Sequence, residues 1–325
     1  MTTRQLIPFD LSKLSAEMKG AVRAFDPTAL REEEFGYLLG SDPEYMFDNL
    51  DVMRLLVYAW NREWTRPEGR HRKGVYLSGP TGSGKSSVIE QFFARIGVPL
   101  VRTTWNPKRE SEEMLTRRTL ENGQLHDVDQ AIAIAAKLGL PVKIDEIDLA
   151  DPAELVALND LIEKGVIALP NGQTITAERG FMVFCTANTA GVEDETGIYH
   201  GTRSLNASTL RRFFCVEMDY PSEAAESSFL KRVFPKFPAQ LIESSAKTVT
   251  MIRQAAAGTL DGKRLTFPIS RPETIDWIEM MGAFAKVTFD GTNAAQYAMS
   301  ACFAQRLPVA DREVVSGIVE SVFGS

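Results

Sequence analysis

Gly79-Pro80-Thr81-Gly82-Ser83-Gly84-Lys85-Ser86 has the residue types and spacing of a phosphate-binding loop, GxxxxGK[ST]. The glycines let backbone N–H groups curl around phosphate oxygens, and the start of a following helix adds partial positive charge. Lys85 then reaches the terminal phosphates and the Ser86 hydroxyl ligates Mg²⁺, with Ser87 beside it at the helix start. A glycine turn between a strand and a helix needs no lysine, so the full pattern points to a nucleotide.

Two acids, Asp145 and Glu146, end the apolar run Val142-Lys143-Ile144. Ligands bind at the carboxyl edge of open α/β sheets, so Asp145 suits Mg²⁺ held through water and Glu146 suits a base that polarises attacking water. Acids also open helices, and alone this pair would say little. Lys143 is the odd residue of a run that should be apolar throughout, and implies an exposed face, a shortened strand or a specific acidic partner. A second run, Phe181 to Cys185, ends in Thr186-Ala187-Asn188. The Asn188 amide can accept from water and donate to phosphate, or simply sit in a turn. Arg211 and Arg212 close the segment from Leu205, where arginine also complements a helix dipole.

These groups need a framework that brings them to one edge. The spacing of Leu50, Met53, Leu56, Ala59 and Trp60 predicts a helix entered from Asp42-Pro43 and ending near Asn61. Strands are expected at 75–77, 98–102, 142–144 and 181–185, with helices at 86–95, 127–138 and 152–164 between them. Such alternation predicts an α/β fold, a parallel sheet with helices on both faces. Asn171-Gly172 between two short β runs predicts an inserted hairpin. Past Tyr220-Pro221 only helices are expected, over 222–234, 238–258, 272–285 and 294–304. Residues 1–41 therefore read as an irregular extension, 42–221 as the α/β domain and 222–325 as a smaller all-α domain.

Composition narrows the function. With 44% apolar and 24% charged residues in 325, the chain is an ordinary folded protein with about two domains. Its formal charge of −7 disfavours nucleic acid as a bulk partner, although Arg66, Arg70, His71, Arg72 and Lys73 form a basic loop. Three widely spaced cysteines and three histidines offer no metal-binding spacing and fit a reducing cytoplasm. No apolar run is long enough to span a membrane.

The order GPTGSGKS, KIDEID, CTANT and LNASTLRRF resembles the AAA+ ATPases of the MoxR branch. Within it, DPEYMFDN and TANTAGVEDETGIYHGT are similar to the CobS-type ATPase subunits of cobaltochelatases. The resemblance spans about residues 42–285. It implies Walker A over Gly79–Ser86, Walker B at Asp145 and Glu146, sensor 1 at Asn188, an intersubunit arginine finger at Arg212, and a pre-sensor insertion at the Gly172 hairpin. ATP and Mg²⁺ would be the cofactors, and the helical domain a lid. It further implies a homo-oligomeric, hexameric ring, often working beside a protein with a von Willebrand factor A (VWA) domain. The relatives read Ser-Pro-Arg at sensor 2, whereas this chain reads Ser270-Arg271-Pro272. Arg271 is expected to lie in extended backbone just before the helix and to reach back to the nucleotide. The segment from Arg118 to the Walker B strand is shorter than in the CobS type. The leading function is thus a motor that remodels a protein partner; the alternatives are the power subunit of a metal chelatase and, less favoured, a nucleic-acid motor. His200 reads as structural, since phosphoryl transfer needs no imidazole.

Overall fold

Two strands that local pattern does not announce open the chain: β1 (Leu6–Asp10) pairs antiparallel with β2 (Ala21–Phe25), Leu6 opposite Phe25. Val22, Ala24 and Phe25 are buried, and Phe25 packs edge-on against Trp64 at 5.7 Å and near Trp60 at 6.0 Å. Fully buried Glu34 accepts from Arg4 and Arg31, and both arginines also donate to the Leu138 carbonyl. The segment expected to be an irregular extension is therefore folded onto the core. The computed structural model describes residues 4–106, 110–121, 123–169, 172–191, 202–284 and 293–324. Its chain divides into two units, Met1–Gly79 with Lys85–Met218, and Pro80–Gly84 with Asp219–Ser325.

In the first unit, α1 (Leu50–Thr65) begins at the cap Asn49, whose side chain accepts from Val52 N at 3.0 Å. Asp42 makes a local turn instead, accepting from Glu44 N, which is why the helix starts later than expected. It also runs on to Thr65, because Glu63 and Trp64 are buried on the same face. Then follow β3 (Gly74–Ser78), α2 (Lys85–Arg95) and β4 (Val101–Thr104). An antiparallel hairpin of β5 (Thr116–Glu121) and β6 (Gln124–Asp129) takes the first residues expected in a helix from 127, leaving α3 (Ala131–Leu138). Next come β7 (Pro141–Asp145) and α4 (Pro152–Lys164), which matches its expected bounds between the cap Asp151 and the left-handed Gly165. The expected inserted hairpin is β8 (Val166–Ala168) and β9 (Thr174–Thr176); Asn171 of its turn lies outside the described residues. The unit closes with β10 (Met182–Thr186), a single-turn α5 (Ala207–Leu210) and β11 (Phe213–Glu217), a strand not expected from pattern.

The sheet runs β11-β3-β10-β7-β4, every pair parallel. Every residue of β3 and β10 is buried, as strands covered on both faces require. The chain leaves β3 for the far edge at β4 and returns through β7 to β10, so the carboxyl ends of β3, β10 and β7 stand side by side. Thr186 is opposite Leu77 and Cys185 opposite Ile144, so Thr186 comes level with Asp145.

The second unit is helical: α6 (Glu223–Val233), α7 (Ala239–Ala256), α8 (Arg271–Ala283), α9 (Ala294–Cys302) and α10 (Val309–Phe323), the last not expected from pattern. Helix α8 packs on α9, and α7 on α6 and α10. Ser270 and Glu273 form a capping box that starts α8 at Arg271. Arg271 is thus the first helical residue, not an extended one. No helix among the described residues is long and apolar enough to cross a membrane.

Because Phe25 fills the space between two buried tryptophans, Phe25→Ala should lower stability by about 3 to 5 kcal/mol in urea unfolding followed by tryptophan fluorescence. A loss below about 1 kcal/mol would mean that the N-terminal hairpin is not part of the cooperative core.

Candidate active site

Gly79 follows β3 at φ +142°, where an added Cβ would collide with the Met218 carbonyl, so only glycine serves here. Lys85 begins α2 almost fully buried, its Nζ donating to the Gly79 carbonyl at 2.7 Å and to Asn188 Oδ1 at 3.4 Å. Burial pushes its pKa down to about 8, against the opposing pull of Asp148 and Asp145. One residue on, Ser86 Oγ donates to Asp145 Oδ1 at 2.6 Å, and Thr186 Oγ1 donates to the same oxygen at 2.8 Å. Lys143, expected to need an explanation, has two: its Nζ lies 2.6 Å from Asp145 Oδ2 and 2.6 Å from Glu90 Oε1. Its acidic partners keep it buried within an all-parallel sheet.

Glu146 is exposed and left-handed, φ 58° and ψ 39°, the only non-glycine residue with positive φ among those described. Such backbone is unfavourable by about 1 to 2 kcal/mol for an L-residue and clusters at functional sites. It turns the chain sharply after β7 and separates Glu146 from Asp145. Asp148, which sequence reading passed over, is fully buried: its Oδ2 accepts from the backbone N–H of Asn188 at 2.8 Å and of Thr189 at 3.2 Å. It fixes the turn that carries Asn188. The available signal was its position, two residues beyond Glu146 in the same acidic run.

Residues 80–84 group with the helical unit. Gly82 and Gly84 have positive φ, +77° and +97°, and the buried Ser83 Oγ has no hydrogen-bond partner among the described residues. Tyr220 donates its hydroxyl to the Thr81 carbonyl at 2.5 Å, and a Cβ on Gly82 would clash with Ser270. Near that cap, Arg271 lies 3.3 Å from buried Glu226 and stacks over Phe229 at 4.2 Å. Arg253 shares Glu226 at 3.2 Å.

The resemblance assigns the arginine finger to Arg212, but its side chain is mostly buried, with Nη2 2.6 Å from Glu163 Oε2 on α4 and Nη1 donating to the Ser208 carbonyl. Arg211 is the exposed member of the pair. In the basic loop, Arg66 and Arg72 likewise turn inward, each 3.1 Å from Glu63, and Arg72 also donates to the Ala177 and Phe181 carbonyls. Residues 192–201, with His200 and much of the CobS-like stretch, lie outside the described residues.

A serine hydroxyl and one carboxylate, level with each other and beside a buried ammonium, form a hard oxygen set. No group of three or more His, Cys, Asp or Glu residues that could hold a metal occurs among the described residues. Mg²⁺ retains several waters and phosphate oxygens rather than entering an all-protein cage, so this donor set fits it together with a nucleotide. Residues 74–213 match the AAA domain of the dynein-related subfamily. Over that segment the chain is similar to AAA+ ATPases. It is 26% identical over 263 residues to the aerobic cobaltochelatase subunit CobS of Sinorhizobium sp, covering 78% of this chain and 75% of that protein. An uncharacterised protein of Staphylococcus haemolyticus is 31% identical over 155 residues, 46% of this chain and 56% of the relative. Protein NorQ of Paracoccus denitrificans is 29% identical over 161 residues, 49% and 57% respectively. The chain thus spans three quarters of the first relative and a little over half of the other two.

The lowered pKa of Lys85 fixes a pH window. Between about 8 and its ordinary 10.5, the unfolded chain holds the proton that the folded, nucleotide-free protein releases, so this group makes stability rise with pH there. Phosphate restores the ammonium, so ADP binding should take up a proton in that window and weaken toward about tenfold per pH unit above pH 8. Calorimetry in two buffers of different ionisation heat at pH 9 measures that uptake, and a binding heat independent of the buffer would contradict it.

Proposed function

We propose that the chain is a Mg-ATP-hydrolysing ring motor that remodels a protein partner. The contact between the Ser86 hydroxyl and the Asp145 carboxylate, 2.6 Å apart next to buried Lys85, carries this reading. Bound Mg-ATP supplies the electrophilic phosphorus and neutralises charge on the leaving oxygens. The chain's own residues do the rest. Ser86 and Asp145 hold the metal, and Lys85 balances charge on the terminal phosphates. The loop from Gly79 to Ser86 wraps the phosphates with backbone N–H groups. Glu146, exposed beyond the strand end, takes the proton of the attacking water, and Asn188 orients that water. Arg271 belongs to the same reading as a proposed nucleotide contact.

A finger from the Arg211–Arg212 pair would complete the site of a neighbouring subunit. Arg211 is the more accessible candidate, because Arg212 is already committed to Glu163 in its own chain. Such cooperation needs a homo-oligomer, and a hexameric ring acting with a VWA-domain protein in the cytoplasm follows the branch's habit. The likeness to CobS over three quarters of that protein favours a second reading, the ATP-consuming subunit of a metal-insertion complex. Co-purification from the native host separates the two by the partner recovered.

Glu146→Gln should retain Mg-ATP binding and hydrolyse at least ~10²-fold more slowly, since the amide keeps shape but cannot take a proton. Lys85→Ala should lose binding instead. Near-normal turnover in Glu146→Gln would remove that residue from the mechanism. For the finger, Arg211→Ala and Arg212→Ala are each mixed with Glu146→Gln. The variant of the true finger should be inactive alone and regain activity on mixing, because some mixed interfaces then hold both intact groups, whereas the other variant should be active by itself. No recovery with either, despite demonstrated subunit exchange, would contradict action in trans.

A further inference from the structure

Helix α2 and strand β7 meet through matched spacings. Ser86 and Glu90 are four residues apart on α2, about 6 Å along a helix. Asp145 and Lys143 are two apart on β7, about 6.6 Å along a strand and on one face. Two rungs result: Ser86 to Asp145 at 2.6 Å and Glu90 to Lys143 at 2.6 Å. A diagonal joins them, Lys143 Nζ to Asp145 Oδ2 at 2.6 Å. Arg102 of β4, opposite Lys143 in register, adds a looser contact to Glu90 at 3.6 Å. The Lys143 side chain is 3% exposed, and with Glu90 and Asp145 it lines an open cleft of about 470 Å³.

If the rungs served only to align helix and strand, apolar side chains of similar volume would do so without desolvating an ammonium. The charge acts on its neighbour. We propose that Lys143 is a positioning residue for the metal-holding carboxylate. Its ammonium, pinned by Glu90, occupies Oδ2 of Asp145, turns Oδ1 toward Ser86 and weakens the pull of Asp145 on Mg²⁺. The inference rests on the assignment of Asp145 and Ser86 to the metal. Lys143 tunes the metal requirement of nucleotide binding, and Glu90 tunes Lys143.

The test is a Mg²⁺ titration of the binding of a fluorescent ADP analogue to the full chain, which reads metal affinity without turnover. Removing a unit positive charge beside a divalent ion's carboxylate is worth at least ~10-fold even at the dielectric constant of water. Lys143→Met should therefore lower the Mg²⁺ concentration for half-maximal binding at least ~10-fold. Glu90→Gln should raise it at least ~3-fold, because the ammonium then faces Asp145 with less competition. Opposite shifts are the signature, since loss of mere alignment would impair both variants alike. Should Lys143→Met fail to fold, Lys143→Gln, which keeps a hydrogen-bond donor without the charge, takes its place with the same expected fall. Wild-type requirements in the folded variants, with a raised requirement in Asp145→Asn, would overturn the role of Lys143 and leave the metal assignment standing. An unchanged requirement in Asp145→Asn would overturn the metal assignment and the inference together.

Discussion

The level alignment of three strand ends is the constraint on which the candidate site depends. Parallel pairing sets Thr186 of β10 beside Asp145 of β7, and the same pairing sets β10 against β3, from which the phosphate loop departs. A slip of one residue in either ladder would turn Asp145 or Thr186 to the other face of the sheet. Asp145 would then lose its contacts with Ser86, Thr186 and Lys143, and Asn188 would leave the reach of Lys85. The buried apolar faces of β3, β7 and β10 make such slips unfavourable, so the core that stabilises the sheet also holds the chemistry in register.

Charge at this edge is balanced over several groups. Lys85, Lys143 and Arg102 stand against Asp145, Asp148 and Glu90, and the most buried of these, Lys143 and Asp148, touch Asp145 and Asn188 of the candidate site. Asp148 orders the turn of Asn188 through two backbone N–H groups. Lys85, held on the Gly79 carbonyl with its pKa lowered by burial, keeps a charge that phosphate can claim at little reorganisation. The left-handed Glu146 fits the same pattern: unfavourable backbone is tolerated where the surrounding sheet over-determines it.

What was legible in the sequence follows the range of the forces involved. The phosphate loop, α4 and the strands β3, β7 and β10 are local signals, a motif, two caps and continuous apolar runs, and they stand where the residues indicated. The β1–β2 hairpin was not legible, because its strands are joined by ten residues and its partner surface is the distant Trp60 and Trp64. The β5–β6 hairpin exposes Leu120, Leu125 and Val128 and carries no buried alternation to betray it. Arg271 was misread for a different reason: Ser270 and Glu273 spell a capping box that starts the helix one residue earlier than Pro272 suggests. At the site, residue types pointed to the groups proposed to meet nucleotide. The internal pairings that modify them, Lys143 with Glu90 and Arg212 with Glu163, depend on tertiary contacts between residues 53 and 49 positions apart and could not be read from spacing.

The central claim is that nucleotide phosphates lie against the loop from Gly79 to Ser86 with Mg²⁺ at Ser86 and Asp145. A crystal structure of the chain with Mg²⁺, ADP and a phosphate mimic tests it most directly. Lys85 Nζ should have left the Gly79 carbonyl for a phosphate oxygen, with the metal on Ser86 Oγ and joined to Asp145 directly or through water. Nucleotide bound elsewhere, or Lys85 still on Gly79 with the loop occupied, would contradict the account.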